Sequence, residues 1–328
     1  MRNTYLGQRK FWRNFTSSPD SNDVRLSGIA KLFFSTSVSF AKQDPYDFAE
    51  KVVRFLRLAG FQGAQKIELR LRRIKQQVPK GTSENFLRLG QMEEAMSPGN
   101  IETRADVKAA RRAESTLRAL QMPIPAGRTT LPPGKKRIKV LYVLTNSFPY
   151  TQSGYTVRSH AILRTLNEQG HDVEAVTRMA YPVTVGKIPS SYVDEVDGVL
   201  YHRLLPDGFP ADISERFDLA VNMLVKKALD LDVSILHTTT DYTNAIIVSR
   251  AAQILDIPWI YEVRGELEST WLSRLPNSEQ ETAKTSEFYV LSQAKETQAM
   301  QSASAVITLS ELAKEKFTGR GVSSEKIH

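Results

Sequence analysis

Cysteine is absent from all 328 residues. That excludes a disulfide scaffold, thiolate zinc sites, iron–sulfur ligation and a cysteine nucleophile. Long apolar runs are missing too. The nearest, Leu32 to Ala41, is ten residues broken by Ser35, Thr36, Ser37 and Ser39, well short of the roughly 18 residues of a membrane span. The amino-terminal MRNTYLGQRKFWRNF is charged without an apolar core, so no secretory signal is expected. Histidine is scarce, five in all, and no His, Asp and Glu cluster carries metal-ligand spacing. These absences predict a cytoplasmic protein. What is present is an ordinary globular mixture, 41% hydrophobic and 24% charged, at a length that suggests two domains.

Charge is unevenly spread. Residues 1–130 hold 23 Lys and Arg against 12 Asp and Glu, a net +11, whereas residues 131–328 hold 21 against 24, a net −3. The basic half reads as helical. Asp44-Pro45 starts a helix with Phe48, Val52, Phe55 and Leu56 on one face and Gly60 as its stop. Ile67, Leu71 and Ile74 make a second stripe, interleaved with Arg70, Arg72, Arg73 and Lys75. Thr82-Ser83-Glu84 opens a third helix, and a fourth runs from about Arg104 to Gln121 with Val107, Ala110, Leu117 and Leu120 on one face. The basic stripe suits three readings: a solvated helix face, an anionic membrane surface contacted from the cytoplasmic side, or nucleic acid, for which no zinc-finger or RNP-like spacing exists.

Residues 122–134, MPIPAGRTTLPPG, contain four prolines and two glycines and mark a linker. The expected organisation is a basic helical extension over 1–121, a Pro/Gly linker over 122–136 and an α/β lobe over 137–328. In the lobe, apolar β-rich runs alternate with helical patterns. Strands are expected at 138–144, 171–177, 198–204, 233–237, 258–263 and 305–309, and helices at 155–169, 213–229, 242–255 and 283–300. This alternation predicts a Rossmann-like, doubly wound parallel sheet, whose ligands bind beyond the carboxyl ends of the strands.

The first strand-end loop, Asn146 to Tyr155, holds Gly154 where a helix begins. A glycine there permits positive φ and lets a ligand approach free backbone N–H groups, and the helix dipole favours an anion such as a diphosphate; taken alone the glycine is weak evidence, which a plain turn also explains. The loop is neither G-x-G-x-x-G nor a P-loop. Ser310-Glu311 reads as a helix cap, and His160, His171 and His202 as structural or exposed.

Four stretches together resemble one family. PYTQSGYTVRSHAILRTLNEQGHDVEAVTRMAYP (149–182), DVSILHTTTDYTNA (232–245), YEVRGELESTW (261–271) and SASAVITLSELAKEKFTGRGVSSEKIH (302–328) are similar to the amino-terminal, acceptor-side lobe of GT-B family 4 glycosyltransferases. The paired glycines common in that family's first loop are here Ser153-Gly154, and the second histidine of its fourth-strand motif is Thr239. The resemblance implies transfer of a sugar from a nucleotide sugar to a glycan, lipid or small-molecule acceptor, with retained anomeric configuration and no metal. The family's donor-binding lobe lies beyond its "K-I" motif, so the chain is expected to be a fragment, inactive alone. His237 and Glu266 are the expected catalytic residues. Ser153, Gly154, Tyr155, Arg158, Asn244 and Arg264 are the expected substrate-binding residues. Each has a structural alternative: a satisfied histidine, or pairing of Arg264 with Glu262 or Glu266. Another GT-B enzyme, such as a nucleotide-sugar epimerase, or a non-enzymatic binding module are the alternative functions.

Overall fold

The computed structural model describes residues 26–43, 81–131 and 137–328, with short pieces at 48–49, 52–53, 63 and 65–70. Most of the two stripes expected between 44 and 80 lies outside the described residues, although 48–49, 52–53 and 65–70 are helical. The helices before the lobe are α1 (Leu26–Gln43), α2 (Thr82–Arg88), α3 (Met92–Met96) and α4 (Arg104–Gln121). The lobe then runs β1 (Lys139–Leu144), α5 (Gly154–Glu168), β2 (Asp172–Thr177), β3 (Val193–Val196), β4 (Val199–His202) and α6 (Ile213–Asp230). It continues with β5 (Ile235–Thr239), α7 (Tyr242–Leu255), β6 (Trp259–Glu262), α8 (Leu267–Leu272), α9 (Asn277–Lys284), α10 (Glu287–Ser302), β7 (Ala305–Ile307) and α11 (Glu311–Gly319).

The strands form one sheet in the order β3-β4-β2-β1-β5-β6-β7. All neighbours are parallel except β3, which pairs antiparallel with β4. The expected doubly wound parallel sheet is present, and this edge strand is a seventh, antiparallel addition to the six strands expected. Its residues, Val-Asp-Glu-Val, sit half-buried or exposed, so they carry no apolar run to read. The helix expected over 283–300 is also divided. α9 ends at Lys284, and α10 starts after Ser286, whose hydroxyl accepts from Tyr289 N.

Alternation along β1 explains the layering. Leu141 and Val143 join one core with Val176, Leu236, Ile246 and Trp259, where α6, α7 and α10 pack. Tyr142 and Leu144 point the other way, into a core with Leu163 of α5, Val173, Ala175 and Tyr201. A strand buried on both faces carries a near-continuous apolar run, as β1 does from Val140 to Leu144. Gly170, the expected stop after α5, adopts φ +85°, a conformation glycine takes without strain.

Residues before the lobe are docked on it. Leu32 of α1 packs with Met179, Ala180, Val183 and Ala220. Arg88 of α2 makes a bidentate pair with Glu279, at 2.5 and 2.8 Å, and Phe288 N donates to Gly90 O. The 122–131 stretch has no helix or strand, as its prolines predict, yet it is not free. Lys295 Nζ donates to Met122 O, Gly127 N donates to Ser302 O, and Ile124 is buried in the main core.

Candidate functional site

Sheet order reverses at β1: β2 lies on one side and β5, the later strand, on the other. Loops leaving β1 and β5 diverge there and open a crevice of about 180 Å³. Thr145 and Asn146 line it from β1, Thr239 to Asp241 from β5, Ser153, Tyr155 and Ser159 from α5, and Arg264 from beyond β6. The site lies where the doubly wound fold predicts.

Local chemistry sets each wall. Ser153 caps α5: its Oγ accepts from Thr156 N, and Thr156 Oγ1 accepts from Ser153 N at 2.7 Å. Gly154 occupies the first helical position without positive φ, which corrects the conformational reason expected for a glycine there. A Cβ added at Gly154 would meet nothing within 4 Å, so the absent side chain leaves open space over the first turn. Asn244 holds the two strand ends together, donating from Nδ2 to Thr145 Oγ1 at 2.9 Å and to Thr239 O at 3.1 Å. Asp241 caps α7 through Thr243 N.

Beneath α5 the crevice rests on a buried polar network. Tyr142 and His237 are cross-strand partners whose rings stack 4.0 Å apart. Glu262 and Arg264, two residues apart on extended chain, share a face and form a two-pronged ion pair with both contacts at 2.9 Å. Arg264 also donates to Tyr142 Oη at 2.6 Å, Ser159 Oγ at 2.7 Å and Tyr155 O at 3.2 Å, while Tyr142 donates to Glu262 Oε2. Arg158, partly exposed, lies 3.4 Å from Glu262 Oε1. His237 Nε2 is 3.6 Å from Glu262 Oε2 and is buried without a hydrogen-bond partner.

Burial decides the protonation of this cluster. It lowers the His237 pKa to about 4, against the nearby Glu262 carboxylate, so the imidazole is neutral at pH 7. For Glu262, burial opposes ionisation, but the Arg264 and Tyr142 hydrogen bonds outweigh it and hold the carboxyl below its ordinary range. Burial, with the Glu262 charge, keeps the Tyr142 hydroxyl protonated. The resulting base is a fixed Arg⁺–Glu⁻ pair, with Arg264 forming part of the crevice wall.

Among the expected residues, Ser153, Tyr155 and Arg264 line the crevice. His237 lies one layer below, and Gly154, Arg158 and Asn244 lie at its margin. Glu266 is turned elsewhere: its carboxylate accepts from Lys316 at 2.6 Å and Arg320 at 2.9 Å on α11. His160 and His202 have structural surroundings. His160 sits between Tyr201 and Asp197, His202 is 2.5 Å from Glu174, and His171 is exposed. Ser310 caps α11.

Sequence reading missed Tyr142, Ser159 and Asp241. The Asp241-x-Thr243 spacing after β5 carries a legible capping signal, but Tyr142 and Ser159 become visible only through register. It also missed Glu296, fully buried beside the α7 start. Glu296 accepts from Tyr242 N at 2.7 Å and lies 2.5 Å from Tyr261 Oη, and burial raises its pKa to about 8.

Fold and crevice define a doubly wound α/β lobe with an open crevice at the topological switch. The glycosyl transferase 4-like domain family matches residues 153–328, more than half of the chain, and the chain belongs to that family. No curated protein matches it in sequence. Similar solved structures include sucrose-phosphate synthase from Thermosynechococcus elongatus, 16% identical with a TM-score of 0.44 over 58% of this chain. They also include a glycosyltransferase from Rickettsia africae ESF-5, 12% identical with a TM-score of 0.35 over 59%. The chain spans 47% and 42% of those proteins' lengths.

Proposed function

We propose that this chain supplies the acceptor-binding lobe of a retaining glycosyltransferase, which moves a hexose from a nucleotide sugar to a hydroxyl of a glycan, lipid-linked or small-molecule acceptor. One observation carries the reading: a family-matched lobe opens its switch-point crevice onto donors and acceptors suited to a polyhydroxylated ligand. The hydroxyls of Thr145, Thr239 and Thr240, the Asp241 carboxylate and the Asn146 amide stand around one small volume, and Asn146 Oδ1 is buried without a partner. A sugar hydroxyl both donates and accepts, so it pairs with each of these groups. The open first turn of α5 adds positive potential beside it, where a departing diphosphate gains charge during transfer.

The role of the Glu262–Arg264 pair is positioning. Its guanidinium fixes the Tyr155 carbonyl and Ser159, and with them the start of α5, before any ligand arrives. His237, neutral and stacked on Tyr142, packs against the pair. This reading needs no resident metal, so a chelator should leave acceptor binding unchanged. Peripheral attachment to an anionic cytoplasmic membrane face is part of the same proposal. It is supported by the basic amino-terminal half and by α1, which leaves Phe33 and Phe34 38% and 70% exposed. Among the described residues no helix is long and apolar enough to cross a membrane.

The test is a binding array of free glycans, lipid-linked sugars, small polyols and nucleotide sugars probed with the 328-residue chain. One acceptor class should bind saturably, and Asn146→Ala and Asp241→Ala should each weaken binding at least tenfold. A nucleotide sugar bound and epimerised in the same assay would favour an epimerase. Binding of no acceptor would leave the binding-module alternative.

A further inference from the structure

A second concavity lies away from the strand ends. α4 turns Lys108, Arg111, Arg112, Ser115 and Thr116 toward one groove, positions that share a helix face by their spacing of three and four. Arg216 of α6 and the buried Ser39 of α1 complete a space of about 360 Å³, within the range of small-ligand sites. Its lining carries four cations and, among the described residues, no carboxylate.

The neighbouring acids are already engaged. Asp212 caps α6 through Oδ1, and its Oδ2 accepts from Arg118 at 2.9 Å; Glu114 lies 3.3 Å from the same guanidinium. Lys108, Arg111 and Arg112 form no ion pair among the described residues, whereas Arg128, Arg250, Lys226 and Lys284 each have a carboxylate. Arg216 is anchored by Ala211 O at 2.8 Å and stacks over Phe209, and burial lowers its pKa against the pull of Asp212. Like charges at three- and four-residue spacing repel one another along a helix, and an anion held between them removes that cost.

We propose that the groove between α1, α4 and the start of α6 is a binding site for a phosphomonoester or diphosphate group, separate from the strand-end crevice. Two arginine forks match phosphate oxygens in bidentate geometry, and Lys108 adds a mobile point charge. Ser39 and Ser115 supply hydroxyl donors to the remaining oxygens. A concave site of this size takes one or two phosphates with a small remainder, borne by a soluble metabolite or by a lipid headgroup.

Two probes separate those sources, both applied to the whole 328-residue chain. Inorganic pyrophosphate is titrated by calorimetry, and phosphatidylcholine vesicles carrying phosphatidic acid are tested by cosedimentation. Saturable, salt-sensitive binding is expected to at least one probe, with pyrophosphate alone indicating a soluble ligand and vesicles alone a headgroup. Arg111→Ala/Arg112→Ala should weaken it at least tenfold with unchanged thermal melting, since both side chains are exposed. Arg164→Ala/Lys284→Ala removes equal charge from distant helices and should leave binding intact. Equal loss in that control would show diffuse electrostatics and overturn the proposal, as would saturable binding to neither probe.

Discussion

Glu262 and Arg264 illustrate how little a single residue's chemistry says before its partners are known. Either could serve a ligand by residue type alone, yet here each is 2% exposed at the side chain and saturated by the other. Arg264→Met should therefore cost about 3–5 kcal/mol, because it strands an ionised carboxylate in the interior. Glu262→Gln combined with Arg264→Met should recover much of that loss, since no unpaired charge remains; urea denaturation of both variants measures the difference. Two buried groups also give stability a signed pH dependence. His237 has a folded pKa of about 4 against an ordinary 6.5, so between those values the unfolded chain binds the extra proton and stability falls as the solution is acidified. Glu296 has a folded pKa of about 8 against 4.5, so the native state holds the extra proton and stability falls as pH rises through that window. Melting temperatures should show the acid-side loss flattened in His237→Phe and the alkaline-side loss flattened in Glu296→Gln.

At the scale of elements, α5 carries the site because its start is closed by its own side chains. Ser153→Ala removes an N-cap acceptor and should cost about 1 kcal/mol. Gly154→Val separates fold from function. With negative φ and nothing near its Cβ position, valine should fold and melt close to wild type while covering the first turn and weakening acceptor or diphosphate binding. A large drop in melting temperature would instead assign Gly154 a structural part. Elements of this kind were legible in the sequence. α4 begins and ends at the residues its stripe and Gln121 suggest, and α7 spans the expected 242–255, because amphipathic or apolar runs of ten or more residues announce themselves. β3, with two acids in four residues, α8, only six residues long, and α9, eight residues long and largely polar, give no such pattern. The site was half legible for the same reason. Strand ends locate the crevice, but the meeting of Tyr142 with His237, Glu262 and Arg264 depends on which strands pair and in what register, which periodicity does not encode.

For the whole molecule, composition marks a linker at 122–136 between a basic helical region and the lobe, and contacts of long sequence separation join residues 81–131 to the lobe. Arg88 and Glu279 are 191 positions apart, and neither reads as a partner of the other in the chain. The 122–131 stretch is held at Gly127. A Cβ there would lie 2.8 Å from Trp259 Cδ1 and 2.7 Å from Ser304 Oγ, closer than real contacts allow. Trp259 is fully buried in the main core and cannot yield cheaply, so Gly127→Leu should cost about 1–3 kcal/mol by overpacking. The same substitution tests whether this stretch is docked or free. Arg128, next in the chain, is paired with Asp256 and donates to Thr130 O, so trypsin should cut wild type slowly at that bond. In Gly127→Leu the displaced segment should be cleaved there first, before any site in 137–328. Gly99→Leu is the control: nothing lies within 4 Å of its Cβ position, so cleavage and melting should both stay at wild-type levels. If wild type is cut at Arg128 as fast as the Gly127→Leu variant, the segment is a tether after all, and the helical region moves independently of the lobe.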